Sequence, residues 1–161
     1  MVTHERRIAW AALSGPVLIA AADQASKVLV VQWTSRPLTI FRSSLGYVEI
    51  DLAHNTGGAF SLFANYGTLL TVVTGLVIIA IVGMLLSGRV HGALAFAGLT
   101  MISGGALGNF VDRARLGYVI DFIEVGASPT LRWPTFNLAD TSIVVGTVLV
   151  VLYLLRSEGR A

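Results

Sequence analysis

From Gly67 to Ser87 the chain carries no charged residue, and Leu69, Leu70, Val72 and Val73, Leu76 to Ile79 and Met84 to Leu86 fill it with apolar side chains. A run of that length crosses the roughly 30 Å hydrocarbon core of a bilayer as a helix. Helices do so because they satisfy every backbone N–H and C=O without water. Three more segments follow the pattern. Ile8 to Trp33 is apolar except for Asp23, Gln24 and Lys27, and follows the charged start His4-Glu5-Arg6-Arg7. Ala20-Ala21-Ala22 would suit a signal-peptide cleavage site, but apolar character resumes at Val28-Leu29-Val30-Val31, so we read one spanning helix. Val90 to Val111 is 22 residues, about 33 Å of helix. Asn137 to Leu155 makes the fourth span, and Ser87-Gly88-Arg89 is a tight connection between the second and third.

Composition agrees: 12% of residues are charged, against about 25% in a soluble domain. The expectation is one integral membrane domain over 1–161, with spans at about 8–33, 67–87, 90–111 and 137–155 and extramembrane stretches at 34–66 and 112–136. Val48-Glu49-Ile50-Asp51-Leu52 alternates with period two, the mark of a half-buried strand. Pro37-Leu38-Thr39-Ile40-Phe41 is a weaker strand, with Arg42 to Gly46 as the turn between them. Phe60, Leu62, Phe63 and Tyr66 suit a short interfacial helix. The fold class is therefore an all-α polytopic membrane protein of four helices, with a small β-hairpin or sheet outside the bilayer.

The net charge of +2 gives no reason to expect a nucleic-acid partner. With no cysteine there is no disulfide, thiolate nucleophile or Cys metal site. His4, His54 and His91 are scattered without zinc-ligand spacing, so neither a metal nor a cofactor is expected. Arg6, Arg7, Arg89, Arg156 and Arg160 fall on one side of a four-span layout, and Arg36, Arg42, Arg113, Arg115 and Arg132 on the other. Charge bias alone leaves the orientation open. If some of the second set are engaged in a site, the terminal set becomes the topogenic signal and both termini are cytoplasmic.

Between Ser103 and Thr141 three polar clusters interrupt this apolar text: Gly104 to Arg113, Val119-Ile120-Asp121-Phe122, and Phe136 to Thr141. Asp121 and Asp140 each adjoin a hydrophobic segment, where a carboxylate is costly without a partner or water. Asp23 and Lys27 are four apart on one helical face and can pair, either as a neutralised couple near the interface or as part of a site. Asn137 also suits the N-cap of the fourth helix, with Asp140 favoured by the dipole at its start. Asn55 suits a turn, and Gly98, Gly104, Gly105 and Gly108 suit close helix packing. Three chemistries are open. Serine chemistry would use His54 with Ser61, or Ser103, but no nucleophile elbow is present. Paired carboxylates can share a proton and activate water against an amide. An ion or proton path through Asp23, Lys27, Asp112, Arg113 and the two aspartates is the alternative, disfavoured because those groups gather toward one membrane face.

Five motifs bear on the choice: Asp23-Gln24-Ala25-Ser26-Lys27, Asn55-Thr56-Gly57-Gly58-Ala59-Phe60-Ser61, Gly108-Asn109-Phe110-Val111-Asp112-Arg113, Val119-Ile120-Asp121-Phe122 and Phe136-Asn137-Leu138-Ala139-Asp140. In order and spacing the chain resembles the lipoprotein signal peptidase (signal peptidase II) family of intramembrane aspartic proteases. Gly58 departs from the alanine more usual there. The resemblance implies a catalytic dyad of Asp121 and Asp140. It implies that Asn55, Asn109, Arg113 and Asn137 line the site or bind substrate, with Asp23, Lys27, Gly57, Gly108 and Asp112 in support. It further implies a diacylglyceryl-prolipoprotein substrate cut on the amino side of its lipidated cysteine. The implied setting is the bacterial inner membrane, with cytoplasmic termini, the active site near the outer leaflet, and the extramembrane strands forming a cradle. A lipid-bound monomer is expected.

Overall fold

The computed structural model describes residues 2–33, 36–56, 67–128 and 130–158, with side chains from Trp10 to Ser157 within those ranges. The chain runs α1 (Val2–Trp33), β1 (Leu38–Ser43), β2 (Gly46–Asn55), α2 (Gly67–Leu86), α3 (Ala93–Leu116), β3 (Val119–Ser128), β4 (Leu131–Arg132) and α4 (Leu138–Glu158). The expected interfacial helix near Phe60 to Tyr66, and Gly57 and Gly58 with it, lie outside the described residues.

Trp10–Trp33, Gly67–Leu86, Ala93–Leu116 and Leu138–Ser157 are long and apolar enough to cross a membrane. Their apolar side chains point outward, with Leu76, Ile79 and Val144 each more than 60% exposed. That is unfavourable in water and suits lipid. α3 is the hub of the bundle, packing on α1, α2 and α4. It meets α4 at backbone distance: a Cβ on Gly98 would sit 2.7 Å from the Gly146 carbonyl oxygen, and one on Gly105 would collide with that of Ala139.

α3 runs past Val111 to Leu116 because Asp112, which would otherwise need water, is buried against a lysine of α1. It stops at Gly117, whose φ of 80° is left-handed and whose N–H bonds the Arg113 carbonyl. The following stretch, expected as a loop, is the long strand β3. Together with β1, β2 and β4 it forms one antiparallel sheet in the order β1-β2-β3-β4. The hairpin read from the sequence is thus half of a larger sheet. β3 was missed because Val119 to Ser128 reads without clean alternation; it is buried at Val119, Asp121, Phe122, Glu124 and Gly126, on both faces. From β4 the chain returns along β3, where Trp133 N–H bonds the Val125 carbonyl and Phe136 exchanges bonds with Ile123. This delivers Asn137 to the start of α4.

Candidate active site

Two polar clusters meet where the sheet joins the helices. The first is centred on Lys27, whose Nζ lies 2.7 Å from Asp23 and 2.8 Å from Asp112. All three side chains are essentially inaccessible to solvent. The remaining acceptors are occupied as well. Asp23 Oδ1 accepts the Ala139 N–H, Asp112 Oδ2 accepts the Ile120 N–H, and Gln24 donates to Asp112 Oδ1 and to the Gly108 carbonyl. α1, α3, β3 and α4 are thereby tied together through buried charge. Gly108 leaves room for it, since a Cβ there would stand 2.6 Å from Asp23 Oδ2. The Asp23–Lys27 couple is therefore a neutralised pair buried inside the protein, bracing the elements around it.

The second cluster holds the two aspartates. Asp121 comes from β3 opposite Ala53 of β2, two positions from the pairing of Asn55 with Val119. Upstream, Ile50 pairs with Ile123, so three steps on β2 match two on β3: a bulge at Asp51-Leu52. Because strand side chains alternate, this extra residue turns Asn55 onto the face of Asp121. Asn55 Nδ2 then donates to Asp121 Oδ2 at 2.9 Å, and Asn137 Nδ2 to Asp121 Oδ1 at 2.6 Å.

Asp140 is placed by the first turn of α4. Asn137 Oδ1 accepts the Asp140 N–H at 2.8 Å and Asp140 Oδ2 accepts the Asn137 N–H at 3.3 Å, a reciprocal capping box. Asn109 Nδ2 donates to Asp140 Oδ1 at 2.8 Å, while its Oδ1 accepts from Lys27 Nζ and Asn137 Nδ2. The buried cation thus orients the Asn109 amide so that its NH₂ faces the carboxylate. Asn137 is at once the helix cap expected from the sequence and a hydrogen-bond donor to Asp121.

Asp121 and Asp140 line one cavity of about 470 Å³, together with Asn55, Asn109 and Arg113. Ile143 and Val144 of α4 form one wall, and Ala53, His54 and the Trp133–Phe136 segment form another. Burial, with the Asp140 charge beside it, pushes the Asp121 carboxyl up to about 6, against the opposing pull of the Asn55 and Asn137 donors. Arg113 stands one turn from Asn109, and its buried Nε has no hydrogen-bond partner among the described residues. A larger groove of about 570 Å³ crosses the sheet by Phe41, Tyr47 and Leu131, but contains neither aspartate.

Of the residues named from the sequence for the aspartate site, only Gly57 lies outside the described residues; Ser61, the serine considered with His54, lies outside them too. Sequence reading missed Gln24, although it sits inside the polar interruption of α1, and it missed the Trp133–Phe136 and Ile143–Val144 walls. It also missed Glu124, buried between the Tyr47 hydroxyl and Arg132, each at 2.7 Å. Among the described residues the buried charges all lie at this one end of the bundle, whereas Ser103 and Ser142 are the buried polar side chains farther down α3 and α4. Among the described residues no charged path crosses the bundle.

A family model described as signal peptidase (SPase) II matches residues 16–156. The lipoprotein signal peptidase of Geobacter sulfurreducens is 39% identical over 146 residues, covering 86% of this chain and 87% of that protein. That of Pseudomonas syringae is 37% identical over 162 residues, covering 94% and 88%. A solved bacterial membrane enzyme superposes with a TM-score of 0.78 at 24% identity, covering 92% of this chain and 90% of its own, which speaks for the fold. A second superposes at 0.72 with 25% identity, covering 89% and 92%.

Proposed function

Because the chain belongs to the signal peptidase II family of aspartic peptidases, we propose that Asp121 and Asp140 are its catalytic pair and that it removes signal peptides from lipid-modified prolipoproteins. The supporting observation is that two carboxylates on separate elements line one cavity and are held by neutral amide donors, with no ion pair to either among the described residues. Carboxyls that share a site share a proton, and their apparent pKa values belong to the pair.

In the proposed reaction the ionised member takes a proton from a water held between them as its oxygen attacks the scissile carbonyl. The protonated member donates a hydrogen bond, then its proton, to the carbonyl oxygen. Collapse of the tetrahedral intermediate breaks the C–N bond, and the departing amine of the lipidated cysteine carries away the proton first taken from water. A hydroxyl of the intermediate returns the other proton to the aspartate that gave it, leaving the carboxyl product and the pair as it began. Asn109 and Arg113 face the substrate backbone; the unpartnered Arg113 Nε suits a carbonyl acceptor. The Ile143–Val144 wall puts the apolar signal segment toward the bilayer, and the sheet side receives the mature chain. This orientation goes with an active site near the outer leaflet and cytoplasmic termini.

The test is cleavage of a diacylglyceryl-modified lipobox peptide beside its unlipidated twin. Only the lipidated peptide is processed, and Asp121→Asn and Asp140→Asn each abolish that processing in folded, membrane-inserted protein. Substantial cleavage by both variants rules out the pair.

A further inference from the structure

The bulge that turns Asn55 toward Asp121 has a second product. Asp51 lies in it, half-buried, and has no hydrogen-bond or ion-pair partner among the described residues. It lines a polar pocket of about 390 Å³ with Glu124 and Arg132. The other lining residues, Ala53, Trp133, Pro134 and Thr135, also line the catalytic cavity, so the two spaces adjoin. Their charges do not cancel. Arg132 Nη1 is 2.7 Å from Glu124 Oε2, and the Tyr47 hydroxyl donates to Oε1, so that pair is neutral and satisfied. Asp51 is left as the uncompensated charge.

Position supplies the rest. Asp51 is two residues from Ala53, the register partner of Asp121, or about 7 Å along a strand. An extended peptide covers that distance in two residues. The pocket lies on the sheet side of the cavity, away from Ile143 and Val144, and hence on the mature side of the cut.

We infer that Asp51 makes this pocket a charge-selective subsite for the substrate residue about two positions beyond the lipidated cysteine, favouring a lysine or arginine side chain and disfavouring an acidic one. The inference rests on the proposed lipoprotein cleavage and goes beyond it by naming a substrate preference. Asp51 touches neither carboxylate of the pair, so its replacement leaves the chemistry in place. A partly exposed ion pair changes affinity by a few-fold, and salt weakens it.

The experiment uses three diacylglyceryl-modified peptides that differ only in carrying Lys, Gln or Glu as the second residue after the cysteine. The expected order of kcat/KM is Lys over Gln over Glu, spanning about three- to tenfold, expressed mainly in KM and compressed at high salt. Asp51→Asn flattens the order while still cutting all three, and Asp51→Lys reverses it. Equal rates in the unaltered protein, or an order that survives Asp51→Asn, overturn the subsite. Failure to cut any of the three overturns the lipoprotein reading itself, and the subsite with it.

Discussion

The Lys27 cluster and the aspartate pair lie side by side, share Asn109 as a bridge, and handle buried carboxylates in opposite ways. Around Lys27, two acids are neutralised by a cation at 2.7 and 2.8 Å. The oxygens that remain are held by the Ala139 N–H of α4 on Asp23 and the Gln24 side chain on Asp112, and the Ile120 N–H of β3 adds a second bond to the Asp112 oxygen that meets Lys27. Nothing there is left to react. Among the described residues, the hydrogen bonds to Asp121 and Asp140 come from neutral donors, three asparagine side chains and one backbone N–H, and the two acids front a cavity that Arg113 also lines. Two acids clamped by one cation serve as a buried tie between elements, whereas carboxylates held by neutral donors and facing a cavity are open to a substrate. On the proposed reading the contrast separates a brace from a reaction centre, although both are made from aspartates in similar sequence surroundings.

The largest effect that would sharpen this contrast is on catalysis. Asp121→Asn or Asp140→Asn should lower the cleavage rate by about 10³-fold or more, within the range of acid–base catalysis, with the thermal midpoint in detergent largely kept. Lys27→Met should do the reverse. Two buried carboxylates lose their cation, a change that typically costs about 3–5 kcal/mol, so the folded fraction falls first and activity falls with it. A Lys27→Met protein as stable as the original but inactive would place the lysine in the reaction centre instead.

Asn109→Ala, at the junction, should slow turnover by about 10- to 100-fold through loss of one hydrogen bond to a charged group, with a smaller loss of stability than Lys27→Met. Equal damage to both would erase the distinction between the clusters.

The finest test is titration. Asn55→Ala removes a donor that favours the ionised form of Asp121, so this carboxyl should titrate above its starting value of about 6, and the pH–rate profile of kcat/KM should move the same way. Stability carries the same sign. Because the folded value of about 6 exceeds the ordinary 3.8, the native protein binds more protons than the unfolded chain between those values. On this group's account stability is greatest below about pH 4 and falls as pH rises through about 6. Asp121→Asn should remove that slope; denaturation midpoints across the interval would show it.

Much of this was open to reading along the chain. Apolar runs of spanning length impose helices whatever their neighbours do, so four helices followed from residues such as those of Gly67 to Leu86. The i, i+4 spacing of Asp23 and Lys27 made their pairing foreseeable, and Asn137 with Asp140 already had the form of a helix start. Strand β3 was less legible, because it is buried on both faces and so lacks the alternation that announces a strand.

What the linear text determined by itself was therefore local: which segments suit lipid, where helices begin, and which polar residues are too costly to be accidental. Tertiary structure alone decided which of those residues meet. Asp112 was claimed by a lysine 85 positions away, Asn55 was turned toward Asp121 by a single bulged position, and Asp51 was left without a counter-charge by the same bulge. Burial and pairing are properties of the space between elements. A side chain's charge is written at its own position, but whether that charge is neutralised, shared or left exposed to a substrate depends on which other elements fold against it.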